Sequence, residues 1–401
     1  MSKREMVTRS MAREEIALVR GGLMSQKDFE VVPIDQIGGR FLAEDIVAPF
    51  DLPSKSHATM DGYAFNANEE YPLELVDEIF PEDTPQKIGS GKAVRIATGA
   101  ILPEGTNAVL KKEDSVVKSG ELNGIGIEEG NYVYSKGSNV STGEVLFKKG
   151  LRLSPKDAIL LLDLGYSEIE VYTALKVGVL ATGTEIYEGK HEDLDSAMLC
   201  GLMSNWGADV TYEGAVQDEY EKVEYKIKEL SKKYEVVITT GGTSVGKKDY
   251  VIKAISALGE IRFQGVLVRP GKPITMATIN KNIIFAIPGK PIGAYTVALM
   301  FLRPFFIGEE IIPTVDMKLT RDIKISREGF EYVVPVVFDE ENDGVIPLGH
   351  VDSPLRIFDG VFNSSVLSSS TRAIKADGFF IMSKDIDKGT IVKVTLYTSM
   401  P

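Results

Sequence analysis

Three short stretches rich in glycine, threonine and lysine are the first candidates for chemistry, at residues 181–185, 241–249 and 287–291. Each follows an apolar run typical of a β-strand. Glycine turns of this kind present backbone N–H groups, and the helix N-terminus behind them favours an anion. One such turn alone is usually only a connection. Three at one edge of one sheet would instead form an anion-binding crevice, and we predict such a crevice here.

The charge around these turns supports an anionic ligand. Residues 241–291 contain eight basic and two acidic side chains, whereas the whole chain carries a net charge of −13. In Arg269-Pro270-Gly271-Lys272-Pro273, stiff prolines hold a planar guanidinium and an ammonium close together, which suits phosphate or another oxyanion. Scattered lysines such as Lys253 and Lys281 are interpreted as solvated surface. Asp249 has two open interpretations of equal weight, a helix cap or a carboxylate that holds a metal or orients water.

A second group of polar residues lies earlier in the chain, in Met60-Asp61-Gly62-Tyr63-Ala64 and in Arg95-Ile96-Ala97-Thr98-Gly99. Taken alone, Asp61-Gly62 predicts a turn and Thr98-Gly99 a strand end. Spacing alone does not connect this group with the glycine turns.

The elements that would position these residues follow from the hydrophobic pattern. A helix is expected over 10–20 with Ser10 as its cap, a mostly β region over 31–150, and a helix from Ser154, with Pro155 at its first position, to Gly165. Between 175 and 307 strands and helices alternate, which predicts a parallel sheet covered by helices on both faces. After 314 the pattern is again that of β-strands. The expected strands of the alternating region are 177–180, 209–212, 236–239, 261–263 and 283–286, and its expected helices are 194–206, 217–233, 249–258 and 291–303.

Length and composition limit the class of protein. A chain of 401 residues with 43% hydrophobic and 26% charged residues predicts two to four folded domains. The acidic balance argues against nucleic-acid binding through the overall field. The single cysteine, Cys200, excludes an intrachain disulfide and a cysteine-based zinc site within one chain. The N-terminal residues lack the apolar core of a signal peptide and no apolar run is long enough for a bilayer, so we expect a cytoplasmic protein without membrane contact.

The sequence resembles the MoeA family, molybdopterin molybdenumtransferases that act in molybdenum-cofactor synthesis, and the related E-domain of gephyrin. The resemblance covers essentially the whole chain. It rests on the order and spacing of several motifs, which read MDGYA at 60–64, RIATGAILPEGTNAV at 95–109, GEVLFKKGLRL at 143–153, LATGTEI at 180–186, VVITTGGTSVGKKDY at 236–250, and RPGKP followed by AIPGKP between 269 and 291.

This resemblance implies a multidomain α/β plus β fold with four domains. They are a helical and β dimerisation domain at 1–46 and 147–174, an inserted β-rich domain at 47–146, a MogA/MoaB-like three-layer α/β domain with a mostly parallel sheet at 175–312, and a C-terminal β-barrel at 313–401. It also implies a homodimer in which Asp61 and Thr98 of one subunit reach the 241–249 loop of the other. A MogA/MoaB-type adenylyltransferase is an implied partner.

The implied reaction places molybdate on the dithiolene sulfurs of adenylylated molybdopterin and releases AMP with the assistance of Mg²⁺. By matching positions, the implied catalytic residues are Asp61, Thr98, Glu185 and Asp249, and the implied metal ligands are Glu185, Asp249 and Asp218. The implied substrate-binding residues are Gly62, Gly99, Thr182, Gly183, Gly241, Gly242, Thr243, Ser244, Gly246, Arg269, Lys272, Pro288, Gly289 and Lys290.

Two alternatives stay open at this point. The sequence departs from the family pattern at Ala197, where the family has asparagine, and at Lys290, which adds a charge to the usual PGNP turn. These departures motivate a non-catalytic carrier or scaffold that binds molybdopterin. A variant that inserts tungstate is the other alternative, because the two oxyanions have nearly equal size.

Overall fold

A computed structural model describes residues 5–241, 249–309 and 311–399 of the chain. It divides into two compact units. The large unit consists of Met1–Glu30 and Tyr172–Pro401, and the β-rich unit consists of Val31–Val171. Within the described residues, no helix combines the length and apolar character needed to cross a bilayer.

The helices expected from the sequence are present, but the first ends at Met24 rather than at residue 20, and the short helices Thr184–Tyr187 and Ser364–Leu367 are not among those predicted. In chain order the helices are α1 Arg9–Met24, α2 Ala158–Asp163, α3 Thr184–Tyr187, α4 Leu194–Asn205, α5 Tyr220–Lys233, α6 Tyr250–Leu258, α7 Pro291–Val297, α8 Arg303–Ile307 and α9 Ser364–Leu367. A π-helical turn over Ala298–Leu302 joins α7 to α8, so the helix expected over 291–303 is interrupted. The prediction that Ser10 caps α1 is wrong, because Thr8 precedes the helix and its hydroxyl accepts from the N–H of Met11.

The β-rich unit is built around one mixed sheet. Its strands are β1 Phe29–Pro33, β2 Ile46–Val47, β3 His57–Ala58, β4 Gly62–Phe65, β5 Leu73–Ile79, β6 Lys92–Ile96, β7 Ala108–Lys111, β8 Ser115–Lys118, β9 Glu121–Gly124, β10 Val133–Tyr134, β11 Val145–Phe147 and β12 Glu168–Tyr172. The main sheet has the order β7-β4-β6-β5-β9-β8. Side chains alternate between its faces, so Ala64 packs in one apolar cluster while Tyr63 and Phe65 pack in another.

The large unit contains the predicted α/β sheet. Its strands are β13 Lys176–Thr182, β14 Asp209–Val216, β15 Val236–Thr240, β16 Glu260–Gln264, β17 Val268–Arg269, β18 Thr275–Ile279, β19 Asn282–Ile287, β20 Thr314–Lys318, β21 Glu331–Asp339, β22 Gly344–Pro347, β23 Gly378–Met382 and β24 Ile391–Leu396. The order of this sheet is β14-β13-β15-β19-β18-β16. Its first four strands are parallel, whereas β18 runs antiparallel to both of its neighbours.

Helices cover both faces of this sheet, as the sequence predicts. Ile284 and Ala286 share an apolar cluster with residues of α5 and α6. Phe285, which points to the opposite face, packs edge-on against Phe305 of α8 with ring centroids 5.2 Å apart. All residues of β15 are buried, which is the pattern of a strand covered on both sides.

The C-terminal part forms a second sheet with the order β17-β21-β23-β24-β20, and β22 pairs with β21. The fold class, multidomain α/β plus β, is confirmed. The closed C-terminal barrel and the four domain boundaries stay predictions.

Candidate active site

The three glycine turns of the large unit lie together at the carboxyl edge of its sheet. They follow β13, β15 and β19, which are adjacent and parallel. A Cβ atom added at Gly289 would lie 2.9 Å from the Cα atom of Gly241, and one added at Gly241 would lie 2.7 Å from the carbonyl oxygen of Thr182. Real Cβ atoms almost never approach so closely, so the turns can pack together only because these positions are glycine. The predicted convergence of the turns is confirmed.

Hydrogen bonds fix the first turn against its neighbours. The buried Thr182 hydroxyl donates to the carbonyl of Thr240, and the N–H of Gly183 donates to the carbonyl of Val216. Gly183 has φ +144°, and a Cβ atom there would lie 2.8 Å from Oε1 of Glu185. The exposed Glu185 carboxylate therefore folds over the Gly183 backbone at the rim of the crevice.

Asp249 lies at the start of α6. One carboxylate oxygen accepts from the N–H of Ile252, so the interpretation as a helix cap is confirmed. Burial raises the pKa of Asp249 to about 6, and the Ile252 hydrogen bond and the charge of Lys253 only partly oppose this rise. A half-buried carboxylate with a raised pKa is also what a functional site often contains. Asp249 therefore caps α6, and its role in metal binding or catalysis stays a prediction.

The other residues predicted around the crevice differ in burial and in their hydrogen-bond partners. The N–H of Asp218 donates to the hydroxyl of Thr184, which holds the half-buried Asp218 next to α3. Pro288 is buried, while Lys290 is exposed and its ammonium group donates to the carbonyl of Ser365. The predicted substrate-binding residues Gly242, Thr243, Ser244 and Gly246 lie outside the described residues.

The two cations of the RPGKP segment are both half-buried. The guanidinium carbon of Arg269 lies 4.4 Å from the ring centroid of Phe330. Gly271 has φ +115°, and a Cβ atom there would lie 3.1 Å from Val297, so this position favours glycine. The carbonyl of Lys272 accepts from the N–H of Val266, which anchors the backbone of the segment.

The β-rich unit holds the second predicted group, Asp61 and Thr98. The N–H and the hydroxyl of Thr98 both donate to Oδ1 of Asp61 at 2.7 Å. These bonds hold the pKa of the Asp61 carboxyl below its usual value. Gly99 is exposed with φ +86°, whereas Gly62 is buried and a Cβ atom there would lie 2.0 Å from the carbonyl oxygen of Leu110. Gly62 therefore allows strands β4 and β7 to pair closely.

The candidate residues inferred from the sequence omit a buried polar pair at the start of α4. Asp195 is 6% exposed and Ser196 is 3% exposed, yet neither Oδ1 of Asp195 nor Oγ of Ser196 has a hydrogen-bond partner among the described residues. Asp193 caps the helix and also accepts from the hydroxyl of Tyr212. Burial, helped by the charge of Asp193, raises the pKa of Asp195 to about 6. The sequence signal is Asp195-Ser196 after a cap residue, but only the structure shows that its atoms lack partners.

The described residues contain no group of three or more His, Cys, Asp or Glu side chains that could hold a metal ion by themselves. Magnesium is commonly bound by one or two carboxylates together with waters and substrate phosphates. Glu185 and Asp249 offer oxygen donors of the kind that Mg²⁺ prefers, so they fit that mode of binding and do not form a complete protein cage.

Comparison with known proteins gives consistent results along the chain. Residues 7–165 match the family described as MoeA N-terminal region (domain I and II), and residues 178–307 match the probable molybdopterin binding domain. A molybdopterin biosynthesis protein of Methanocaldococcus jannaschii is 31% identical over 93% of this chain and 94% of its own length. The molybdopterin molybdenumtransferase of Bacillus subtilis is 33% identical over 70% of both chains. The crystal structure of a molybdopterin biosynthesis MoeA protein from Pyrococcus horikosii superposes with a TM-score of 0.72 and 28% identity, over 98% of this chain and 99% of that one.

Proposed function

Since the chain belongs to the MoeA family, we propose that it is a molybdopterin molybdenumtransferase that inserts molybdate into adenylylated molybdopterin and releases AMP. The protein acts in molybdenum-cofactor biosynthesis and is a transferase.

The convergence of the three glycine turns is the observation that carries this proposal. A substrate with a pyrophosphate bond and an incoming oxyanion both need backbone N–H groups and cations in one place. The close approach of Thr182, Gly241 and Gly289 brings the three turns together within the segment that matches the molybdopterin binding domain, which supports this proposal. Gly183 and Pro288 shape the same edge, and in our proposal the 242–246 loop completes the phosphate cradle.

In this proposal the charged residues bind the anions and the metal ion. Arg269 and Lys272 bind the oxyanion or a phosphate, and Lys290 adds a positive charge at the third turn. Asp249 and Glu185, with Asp218 as a further acid, hold Mg²⁺ together with the substrate phosphates. When bound, this ion would neutralise charge that develops on the phosphate oxygens.

The buried pair Asp195 and Ser196 provides hydrogen-bonding groups for the pterin. The amino group and ring N–H of a pterin are neighbouring donors, and a carboxylate accepts such a pair well. Oδ1 of Asp195 and Oγ of Ser196 lack partners among the described residues, which is costly unless a ligand supplies them.

In the β-rich unit, the proposal gives Asp61 a catalytic role, with Thr98 holding its carboxylate in the ionised form. Gly62 and Gly99 shape the backbone around it. We also propose a homodimer, a four-domain division at the boundaries given above, and a MogA/MoaB-type adenylyltransferase as the source of the substrate. Light scattering measures the mass of the purified protein in solution and thereby tests the homodimer.

A turnover assay with adenylylated molybdopterin tests the function directly. The expected result is AMP release that depends on added molybdate and is lost in Asp249→Asn, while Asp316→Asn on β20 retains it. Faster release with tungstate would select the tungsten variant. Tight binding of molybdopterin without turnover on any oxyanion would select a carrier and overturn the transferase.

A further inference from the structure

Arg269 is held by an aromatic ring. It is the last residue of β17 and lies opposite Tyr332 of β21 in the second sheet. Its guanidinium carbon stands 4.4 Å from the ring centroid of Phe330, which is only 4% exposed. At this distance the cation is attracted to the face of the ring.

The same arginine lacks an acidic partner within the described parts of the chain. Its Nε atom is buried without a hydrogen-bond partner there. The nearest carboxylate along the chain from Phe330, that of Glu331, accepts two hydrogen bonds from Arg9 at 2.7 and 3.0 Å. Glu331 is therefore paired with Arg9, and the contact that restrains the Arg269 guanidinium is the Phe330 ring, whose centroid also lies 5.6 Å from the guanidinium carbon of Arg327.

We propose that Phe330 is a positioning residue that orients the Arg269 guanidinium for binding of the molybdate oxyanion. This inference rests on the proposed function, because it assumes that Arg269 contacts that anion. An unsupported arginine side chain has many rotamers, and ordering it on binding weakens affinity. A ring that already restrains the guanidinium group removes part of this cost and leaves its terminal N–H groups available for a two-point contact with an oxyanion. Salt-bridge neutralisation would have fixed the same side chain while weakening its attraction for the anion.

Molybdate binding measured by titration calorimetry in the absence of pterin tests the proposal without turnover. Phe330→Leu is expected to weaken molybdate binding about tenfold. Phe330→Trp is expected to retain it, because the larger ring preserves the stacking surface and Phe330 borders a cavity of about 740 Å³ that can receive the added volume. The matched control is Phe362→Leu, a buried phenylalanine of the same apolar cluster whose ring packs on Tyr332 and Phe358 rather than on a charged group.

The Arg269→Ala background separates orientation from general packing. There, adding Phe330→Leu is expected to weaken molybdate binding no further. An equal loss in both backgrounds, or a loss in Phe362→Leu as large as in Phe330→Leu, would overturn the positioning role. In the complete reaction, Phe330→Leu is expected to raise KM for molybdate with little change in kcat. If the wild-type protein binds molybdate and releases AMP, but Phe330→Leu binds molybdate equally well, only this inference fails. If the wild-type protein neither binds molybdate nor releases AMP, the proposed function fails as well.

Discussion

Replacement of Asp249 by asparagine should make the protein more stable and less active, and the size of the first effect follows from its surroundings. Burial raises the pKa of this carboxyl from 3.8 to about 6. A pKa that differs by one between the folded and unfolded states corresponds to about 1.4 kcal/mol, so the upper limit is about 3 kcal/mol. Asp249 is only partly buried, and solvent screening reduces the expected gain to about 1–2 kcal/mol. Asparagine is as good a cap as aspartate, so the hydrogen bond from the N–H of Ile252 is retained.

The pH dependence gives the sign of the effect. Because the pKa of Asp249 is raised in the folded state, protonation favours folding, and this contribution is fully present below pH 3.8 and lost as the pH rises through about 6. Asp249→Asn and the wild type should therefore unfold alike near pH 4, whereas at pH 8 the variant should unfold about 2–4 °C higher. Thermal unfolding across this range measures the difference.

Two control variants separate the charge from the cap. Asp249→Ala removes the cap together with the charge, so it should gain less than Asp249→Asn. Asp51→Asn should have the opposite sign, because the N–H and hydroxyl of Thr142 hold the pKa of Asp51 below its usual value. Turnover of Asp249→Asn should fall at least about a hundredfold at pH 8. An unchanged unfolding midpoint at pH 8 would refute the effect of burial, and unchanged turnover would refute the catalytic role.

Three further variants probe the other parts of the proposed site. Gly289→Ala places a Cβ atom 2.9 Å from the Cα atom of Gly241, so it should raise KM for adenylylated molybdopterin at least about tenfold, whereas Gly201→Ala, with open space around it, should leave KM unchanged. Thr98→Val removes one of two hydrogen bonds to Asp61, and NMR titration should show the Asp61 pKa moving up towards its ordinary value while turnover falls. Asp195→Asn removes a buried carboxyl whose pKa is about 6, so it should raise the unfolding midpoint at pH 8 but not near pH 4, and calorimetry should show weaker binding of molybdopterin. In each case an unchanged measurement contradicts the assigned role.

The sequence predicts the core of the large unit well because its strands are long apolar runs between clear turn residues. β13, β15 and β19 lie within two residues of their expected ends. The strand Thr275–Ile279 is missed, and its neighbour Ile261–Phe263 is expected to be parallel but pairs antiparallel with it. The cause is the turn that joins β18 to β19, where Asn280 and Lys281 both have positive φ. Such two-residue turns normally contain glycine, so a lysine there conceals the hairpin.

The candidate site shows a similar division between what spacing reveals and what only the fold can reveal. Residues that follow a strand directly, such as Gly183 and Gly241, are predictable because parallel strands bring their ends to one edge. The stacking of Arg269 on Phe330 depends on pairing between β17 and β21, which are far apart in the chain. The missing partners of Asp195 and Ser196 depend on burial, which a helical pattern does not specify.

The distribution of charge along the chain bears on which ligands the candidate site can bind. The chain carries a net charge of −13, while the segment that contains the second and third turns carries more basic than acidic residues. An acidic exterior repels large polyanions, whereas in our proposal a small anion is bound by the basic side chains of this segment. Arg269 of this segment contacts the ring of Phe330, and within the described residues it has no carboxylate partner, so in our proposal its charge stays available to the anion. We therefore expect the placement of a few side chains, rather than net charge, to select a small oxyanion and a compact phosphorylated substrate over nucleic acid.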